Sequence, residues 1–526
     1  MIHRGVEELP KQQEDTPRVV IIGAGTLGIY SAVELSKQGL DVVLIESGGT
    51  ELGNFAPDSY SSVGRKHEGI SVGRSKTLGG TTNLWGGQLV EFQEVDFEGR
   101  RGLADSKWPI SFAEIRSYYK ATYLNLGLPE NYQSDQGVFE QISWRPPDFR
   151  NGIEFFLTRW LKIPNFAHSF RESLKEDPKI SVLLNCTVVG FHGSGDAVEE
   201  VHLVDESNET HTIAGDQFIL SAGTIEISRL LLHAANSVDW DCPWKENRNL
   251  GKYFQDHLGG RVASVIPLDR KRFFGLFSTI VKSGHKFQPK LRTTDELLRA
   301  SSLLNIQGSF VFESSAGENL IYLKQFLKAA IFGRKAQSFT QLWRHTFACA
   351  RYLPPLIWKY ISQNRIFVPS TSKISFTFQG EQSPVRDSSI SVDYNSLDDS
   401  GLPKAILNWQ IGAEEMRSIR EFTRRCQSAL HESGIAKLEI DHDLESLNSK
   451  YMESLIDNYH LVGGARMGFS SDDGVVDKNL KVFGTSNLYV AGAATFRTTS
   501  SANTTFVALA FATRLAKHIA NYSLSS

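Results

Sequence analysis

Cysteine is scarce in these 526 residues: four occur, Cys186, Cys242, Cys349 and Cys426, with no CxxC pair and no nearby histidine at zinc-site spacing. That pattern argues against a disulfide framework and against a structural metal site, so no metal is expected. The thiols read as packing residues of a reducing compartment. Long apolar runs are missing too, and a spanning helix needs about 18 such residues in a row. Residues 1–17 are polar and carry both charges, without the apolar stretch of a signal peptide, which leads us to expect a cytoplasmic protein. Neither charge sign dominates: 56 basic and 59 acidic residues leave a formal charge of -3, which gives no global reason to expect nucleic acid as a partner. No internal repeat or low-complexity tract is evident.

What is present is ordinary globular composition, 41% hydrophobic and 22% charged, on a chain longer than one core usually organises. After a tail expected to be flexible over 1–17, Arg18-Val-Val-Ile-Ile22 is a continuous apolar run of the buried parallel-strand kind. Ile29, Ala32, Val33 and Leu35 then recur at helical spacing up to Gly39, and Asp41-Val-Val-Leu-Ile45 reads as a second strand. The turn of this βαβ unit is Gly23-Ala-Gly-Thr-Leu-Gly28. Its missing side chains let a pyrophosphate approach backbone N–H groups at a helix N-terminus. Glu46 ends the second strand, where a carboxylate can accept both ribose hydroxyls of a dinucleotide. The turn alone does not separate NAD from FAD. An NAD-dependent dehydrogenase is therefore one reading at this point.

Strands are also expected at 180–184 and 218–222, with a helix over 224–235. Residues 65–88 are rich in glycine and read as an ordered loop that something approaches closely. Between 258 and 450, alternating segments such as Ser372–Phe378 and Ser389–Asp393 predict an antiparallel sheet.

Arg74-Ser-Lys-Thr-Leu-Gly-Gly-Thr-Thr-Asn-Leu-Trp-Gly-Gly87 and Trp108-Pro-Ile-Ser111 resemble the flavin-side loop of the glucose-methanol-choline (GMC) oxidoreductases, particularly their bacterial, sugar-oxidising-like branch. Ser221-Ala-Gly-Thr-Ile-Glu-Ile-Ser-Arg-Leu-Leu231, Gly251-Lys-Tyr-Phe-Gln-Asp-His257 and Asn458-Tyr-His-Leu-Val-Gly-Gly-Ala-Arg-Met-Gly468 resemble further segments of the same family. The resemblance implies an α/β fold of two domains: a Rossmann-like, three-layer FAD-binding domain over 18–257 and 451–526, interleaved with an antiparallel-sheet substrate domain over 258–450.

It further implies that His460 and Asn503 form the catalytic pair. FAD contacts are implied at Gly23, Gly25, Gly28, Glu46, Gly79, Gly80, Thr81, Asn83, Val188, Ala222, Gly492, Ala493, Thr504 and Thr505. His257 is set aside as a satisfied core or surface histidine. Leu84 precedes Trp85 where related sugar oxidases that attach FAD covalently carry histidine, so non-covalent FAD is expected. The implied reaction is oxidation of a CH–OH group of a small alcohol, sugar or polyol, with oxygen or an external acceptor taking the electrons. A catalytically silent flavin-binding or membrane-docking protein is the contrasting reading.

One stretch stays outside that scheme. From 319 to 380 there are nine Lys or Arg and no Asp or Glu. Its helical part, 321–370, could serve as an active-site lid, a dimer contact or a peripheral contact with an anionic membrane, and an acidic or phosphorylated substrate would also suit it.

Overall fold

The computed structural model describes residues 1–3, 5–10, 16–52, 60–238, 240–313 and 352–523. Most of the basic stretch, 314–351, and Cys349 with it, lies outside the described residues.

The apolar runs at the start of the chain form the middle of a six-stranded parallel sheet. Its order is Ile2–His3, Ile180–Leu183, Asp41–Ile45, Arg18–Ile22, Gln217–Leu220 and Leu488–Val490. Buried on both faces, these strands carry side chains such as Val19, Val20, Ile21, Leu44 and Ile219, which are all but inaccessible. The helix Thr26–Lys37 crosses one face and packs on the final helix, Thr505–Ser523, where Tyr30 and Thr513 share a hydroxyl hydrogen bond of 2.9 Å. A three-stranded antiparallel sheet over Thr187–Ser194, Ala197–Val204 and Thr210–Ala214, together with the helix Thr224–Ala235, completes this domain.

The expected tail begins differently: Ile2 and His3 pair with Val182 and Leu183 and extend the parallel sheet by one edge strand. Two alternating residues sufficed, because the edge already offered unpaired backbone groups.

The second domain is a nine-stranded antiparallel sheet. Its main path runs Ala436–Ile440, Leu258–Pro267, Lys373–Gly380, Ile306–Glu313, His285–Thr293, Ile153–Trp160 and Gln88–Leu89. The last two strands precede residue 258, so the division of the chain at that point is corrected: the flavin-side loop and the segment after it contribute strands to the second domain. Tyr60–Gly64 does the same through a small sheet with Pro403–Trp409.

The two faces of the large sheet differ sharply. Phe287, Leu291, Ile306, Phe310, Ile374, Phe376 and Phe378 are buried on one of them. There Phe310 stacks on Phe376 at 4.8 Å, and Phe376 on Phe422 of the covering helix Glu414–Glu432 at 6.1 Å. Strand alternation puts Gln288, Lys290, Arg292, Gln307, Ser309, Thr377 and Gln379 on the other face. The polar face turns toward the parallel-sheet domain.

Helix Leu353–Gln363 leaves Ile357, Trp358, Tyr360 and Ile361 exposed. Among the described residues no helix is long and apolar enough to cross a membrane.

Candidate active site

A cleft runs between the carboxyl ends of the parallel strands and the second domain, at the place where open α/β sheets bind ligands. At one end Gly23, Gly25 and Glu46 line it. Gly23 sits at φ 101°, a left-handed backbone, and a Cβ on Gly28 would lie 1.8 Å from the carbonyl oxygen of Gly23. The helix that starts at Thr26 therefore packs on the turn so closely that only glycine fits.

The flavin-side loop is tied to this turn. Gly79 N–H donates to Ala24 O at 2.9 Å, and a Cβ on Gly80 would stand 2.8 Å from Gly25 Cα. Gly80 and Thr81 thereby line the cleft, with Ala222 on one side and Gly492, Ala493, Thr504 and Thr505 on the far wall. The first turn of the last helix thus opens on the cleft, bringing its partial positive charge with it.

Glu46 is buried. Its carboxylate accepts Ala24 N–H at 2.9 Å and Gly48 N–H at 3.0 Å, while burial pushes its pKa up to about 7. Four of the expected contact residues do not line the cleft themselves. Gly28 and Gly79 shape the turn and loop from behind. Val188, expected to make its contact through the backbone, is buried, and its neighbour Thr187 lines the cleft. Asn83 turns its amide into the loop, donating to Thr77 Oγ1, Leu78 O and Gly80 O and accepting from Asn165 at 2.6 Å.

A cleft walled by glycine backbone, with a helix N-terminus and a carboxylate at one end and a second helix N-terminus at the other, fits an extended dinucleotide. Gly25 and Gly223 present open space where side chains would intrude, Gly25 having only Gly80 Cα at 3.9 Å and Gly223 no atom within 4 Å. These residues fit FAD.

The other end of the cleft holds His460. Loop 458–462 is zipped to loop 255–257: Gln255 and Val462 exchange backbone bonds of 3.0 and 2.9 Å, and Asn458 N–H donates to His257 O at 3.1 Å. Asp256, fully buried, clamps both loops, its Oδ1 accepting the backbone N–H of His257 at 2.6 Å and of His460 at 2.8 Å. Its Oδ2 meets His67 Nε2 at 3.0 Å.

The two imidazoles are consequently side by side, with His460 Nδ1 3.0 Å from His257 Nδ1. His257 Nε2 lies 3.0 Å from Thr499 O and 2.9 Å from Ser500 O. Carbonyl oxygens only accept, so that nitrogen carries the proton. Burial, the largest influence on His257, pushes its pKa down and keeps the ring neutral, leaving Nδ1 as an acceptor. His460 must then donate from Nδ1, and its Nε2 carries the lone pair.

That nitrogen faces Asn503 Nδ2 at 3.1 Å, and Gln379 fixes the amide's orientation by donating to Asn503 Oδ1 at 3.2 Å and to Ser501 O at 2.8 Å. The pKa of His460 is held well below its ordinary value, first by burial, then by His257 and Lys290. The site offers an unprotonated base beside an amide donor.

The structure therefore brings the expected pair, His460 and Asn503, together, and it adds His257, which reading the sequence had set aside. Its signal was the Asp256-His257 pair inside a matched loop. Nothing in the sequence placed it against a residue 203 positions away.

This is the layout of a flavin-dependent redox enzyme, and comparison with known proteins agrees. Residues 18–300 match the FAD dependent oxidoreductase family model, and residues 386–512 match that of the GMC oxidoreductases. The chain is 22% identical over 495 residues to 2-methyl-1,2-propanediol dehydrogenase of Mycolicibacterium austroafricanum, covering 84% of this chain and 80% of that one. It is 32% identical to paromamine 6'-oxidase of Streptomyces fradiae over 124 residues, which are 21% of this chain and 23% of that protein. The crystal structure of pyridoxine 4-oxidase from Mesorbium loti shares the fold, with a TM-score of 0.56 at 16% identity over 96% of this chain and 99% of that one. The chain belongs to the FAD dependent oxidoreductases and carries the GMC oxidoreductase domain over residues 386–512. Its cofactor is FAD, and the nicotinamide reading falls away.

Proposed function

We propose that the protein oxidises the CH–OH group of a small polar alcohol, a sugar or a polyol, with His460 as the base. The observation that carries this reading is the run of hydrogen bonds from the Thr499 and Ser500 carbonyls through His257, which leaves His460 Nε2 unprotonated and facing Asn503. FAD, when bound, supplies the acceptor for the hydride. The protein's own part is to hold the hydroxyl and remove its proton. A substrate hydroxyl that replaces the direct bond between the two side chains donates to His460 Nε2 and accepts from Asn503 Nδ2, which aligns the C–H bond and lowers the entropic cost of reaction. Gln379 keeps the Asn503 amide from flipping.

The relatives' names support the class: one is a dehydrogenase of a diol and another an oxidase of paromamine. Both oxygen and an external electron carrier remain as final acceptors. We also infer that FAD is held without a covalent link, since 79–87 contains no His, Cys or Tyr and Leu84 occupies the position before Trp85.

An anaerobic screen of polyols, sugars and simple alcohols, followed at the flavin absorbance near ~450 nm, tests the reading. Bleaching by at least one member is expected. Flavin that no alcohol reduces would return the protein to the silent flavin-binding class.

A further inference from the structure

The polar face of the large sheet holds a cation with no counter-ion among the described residues. Lys290 is 6% exposed, and among the described residues its ammonium has two long contacts, 3.4 Å to Gln88 Oε1 and 3.4 Å to Gln307 Oε1. Neighbouring cations are paired. Arg292 has Glu154 at 2.5 Å, Arg159 has Asp135 at 2.6 Å, and Arg100 is bonded to Glu381. Among the described residues no carboxylate forms an ion pair with Lys290. Burying an ammonium this way is costly, and burial alone pushes its pKa down to about 8. At neutral pH the group still carries most of its charge.

Its position relates it to the site. Gln307, which touches the ammonium, donates from Nε2 to Ser501 O at 2.5 Å, and its cross-strand neighbour Gln379 bonds Ser501 and Asn503. The Lys290 charge is felt at both His257 and His460. One side chain therefore separates a buried, uncompensated positive charge from the loop that delivers Asn503. Amide oxygens offer it partial compensation; an oxyanion would complete it with a charge-assisted hydrogen bond to the remaining N–H.

We propose that Lys290 forms an anion subsite of this centre, so that the substrate is an alcohol carrying a carboxylate or a phosphate, the oxyanion on Lys290 and the hydroxyl toward His460 and Asn503. The inference rests on the alcohol-oxidising reading for the second half of that statement only. The excess of basic residues over 319–380 carries charge of the same sign.

Calorimetric titration of the flavin-loaded protein with acetate, inorganic phosphate and uncharged acetamide tests the subsite without turnover. Saturable binding of at least one anion, none of acetamide, and at least tenfold weaker anion binding in Lys290→Met are expected. In the wild type, affinity should fall about tenfold per pH unit above pH 8 as the ammonium deprotonates. Of the titratable groups near it, His257 and His460 are neutral in that range, and Arg159 is held above the ordinary arginine value and stays charged. This pH dependence decides the matter even if Lys290→Met fails to fold. Absence of anion binding, or equal binding by the variant, or a pH-independent affinity, overturns the subsite.

Anaerobic reduction by glycerol, glycerate and glycerol 3-phosphate then separates neutral alcohol, carboxylate and phosphate. Reduction by an anionic alcohol at tenfold lower concentration than glycerol, with that advantage lost in Lys290→Met, is the expected result. If no alcohol reduces the flavin while anion binding still depends on Lys290, the oxidation reading falls and the subsite stands. If glycerol is as good a reductant as the anionic alcohols, the substrate assignment is overturned while alcohol oxidation stands.

Discussion

The two ends of the cleft are made of different materials. At the glycine-rich end the wall is backbone: Gly23, Gly25, Gly28 and Gly80 keep it bare because nothing projects from them. At the other end it is made of side chains held by other side chains: Asn503 by Gln379, and His460 by His257, with both histidine loops anchored on Asp256. An end built from absence fails when an atom is added. One built from a relay fails by degrees as each link is removed.

The largest effect is expected at the first end. Gly28→Ala drives a Cβ into the Gly23 carbonyl, a backbone contact that cannot swing aside, at a cost of about 1–3 kcal/mol or more. The purified variant should be nearly colourless and melt at lower temperature. A yellow variant with wild-type Tm would remove the contrast between the two ends.

At the second end, His460→Ala should keep its flavin and lose about 10²–10⁴-fold in the rate of substrate-driven flavin reduction, the range expected for a general base. Stopped-flow absorbance measures it. Unchanged reduction would take His460 out of the chemistry.

A smaller loss, about tenfold, is expected for His257→Phe, because the base remains while its tautomer is no longer imposed. Here the pH profile discriminates. In the wild type the His460 pKa lies well below the ordinary histidine value, so activity should persist as pH falls through that value and decline only below it. At acid pH a protonated His257 opposes protonation of His460, and removing His257 removes that opposition, so the acid limb should move to higher pH. A limb that stays in place, with only the rate reduced, would make His257 a packing residue. Gln379→Ala should have the mildest effect, a severalfold rise in KM with kcat little changed, as the Asn503 amide gains freedom to flip.

Much of the first end was legible in the chain. Strand, turn, helix, strand and Glu46 are contiguous, and each obeys local rules of apolar runs and left-handed glycines, so a reading in chain order recovers them. The segments with His460 and Asn503 were legible only by resemblance, since a lone histidine or asparagine carries no local signature.

Other features were hidden. Asn83 stood in a recognisable loop, yet its amide serves the loop itself. Gln88–Leu89 and Ile153–Trp160 read as parts of the first domain, because strand partnership depends on which edge is free and not on sequence proximity. Ile2–His3 was too short to show any period.

The amino-acid sequence by itself determined the glycine-walled end of the cleft. A turn that must be glycine, a helix that must start there and a carboxylate at the next strand's end are properties of neighbouring residues. Only the tertiary structure decided which histidine nitrogen bears a proton, which lysine is buried with no counter-ion among the described residues, and which face of the large sheet looks onto the site. Those depend on groups brought together from distant parts of the chain, and a tautomer or a buried charge exists only relative to what surrounds it.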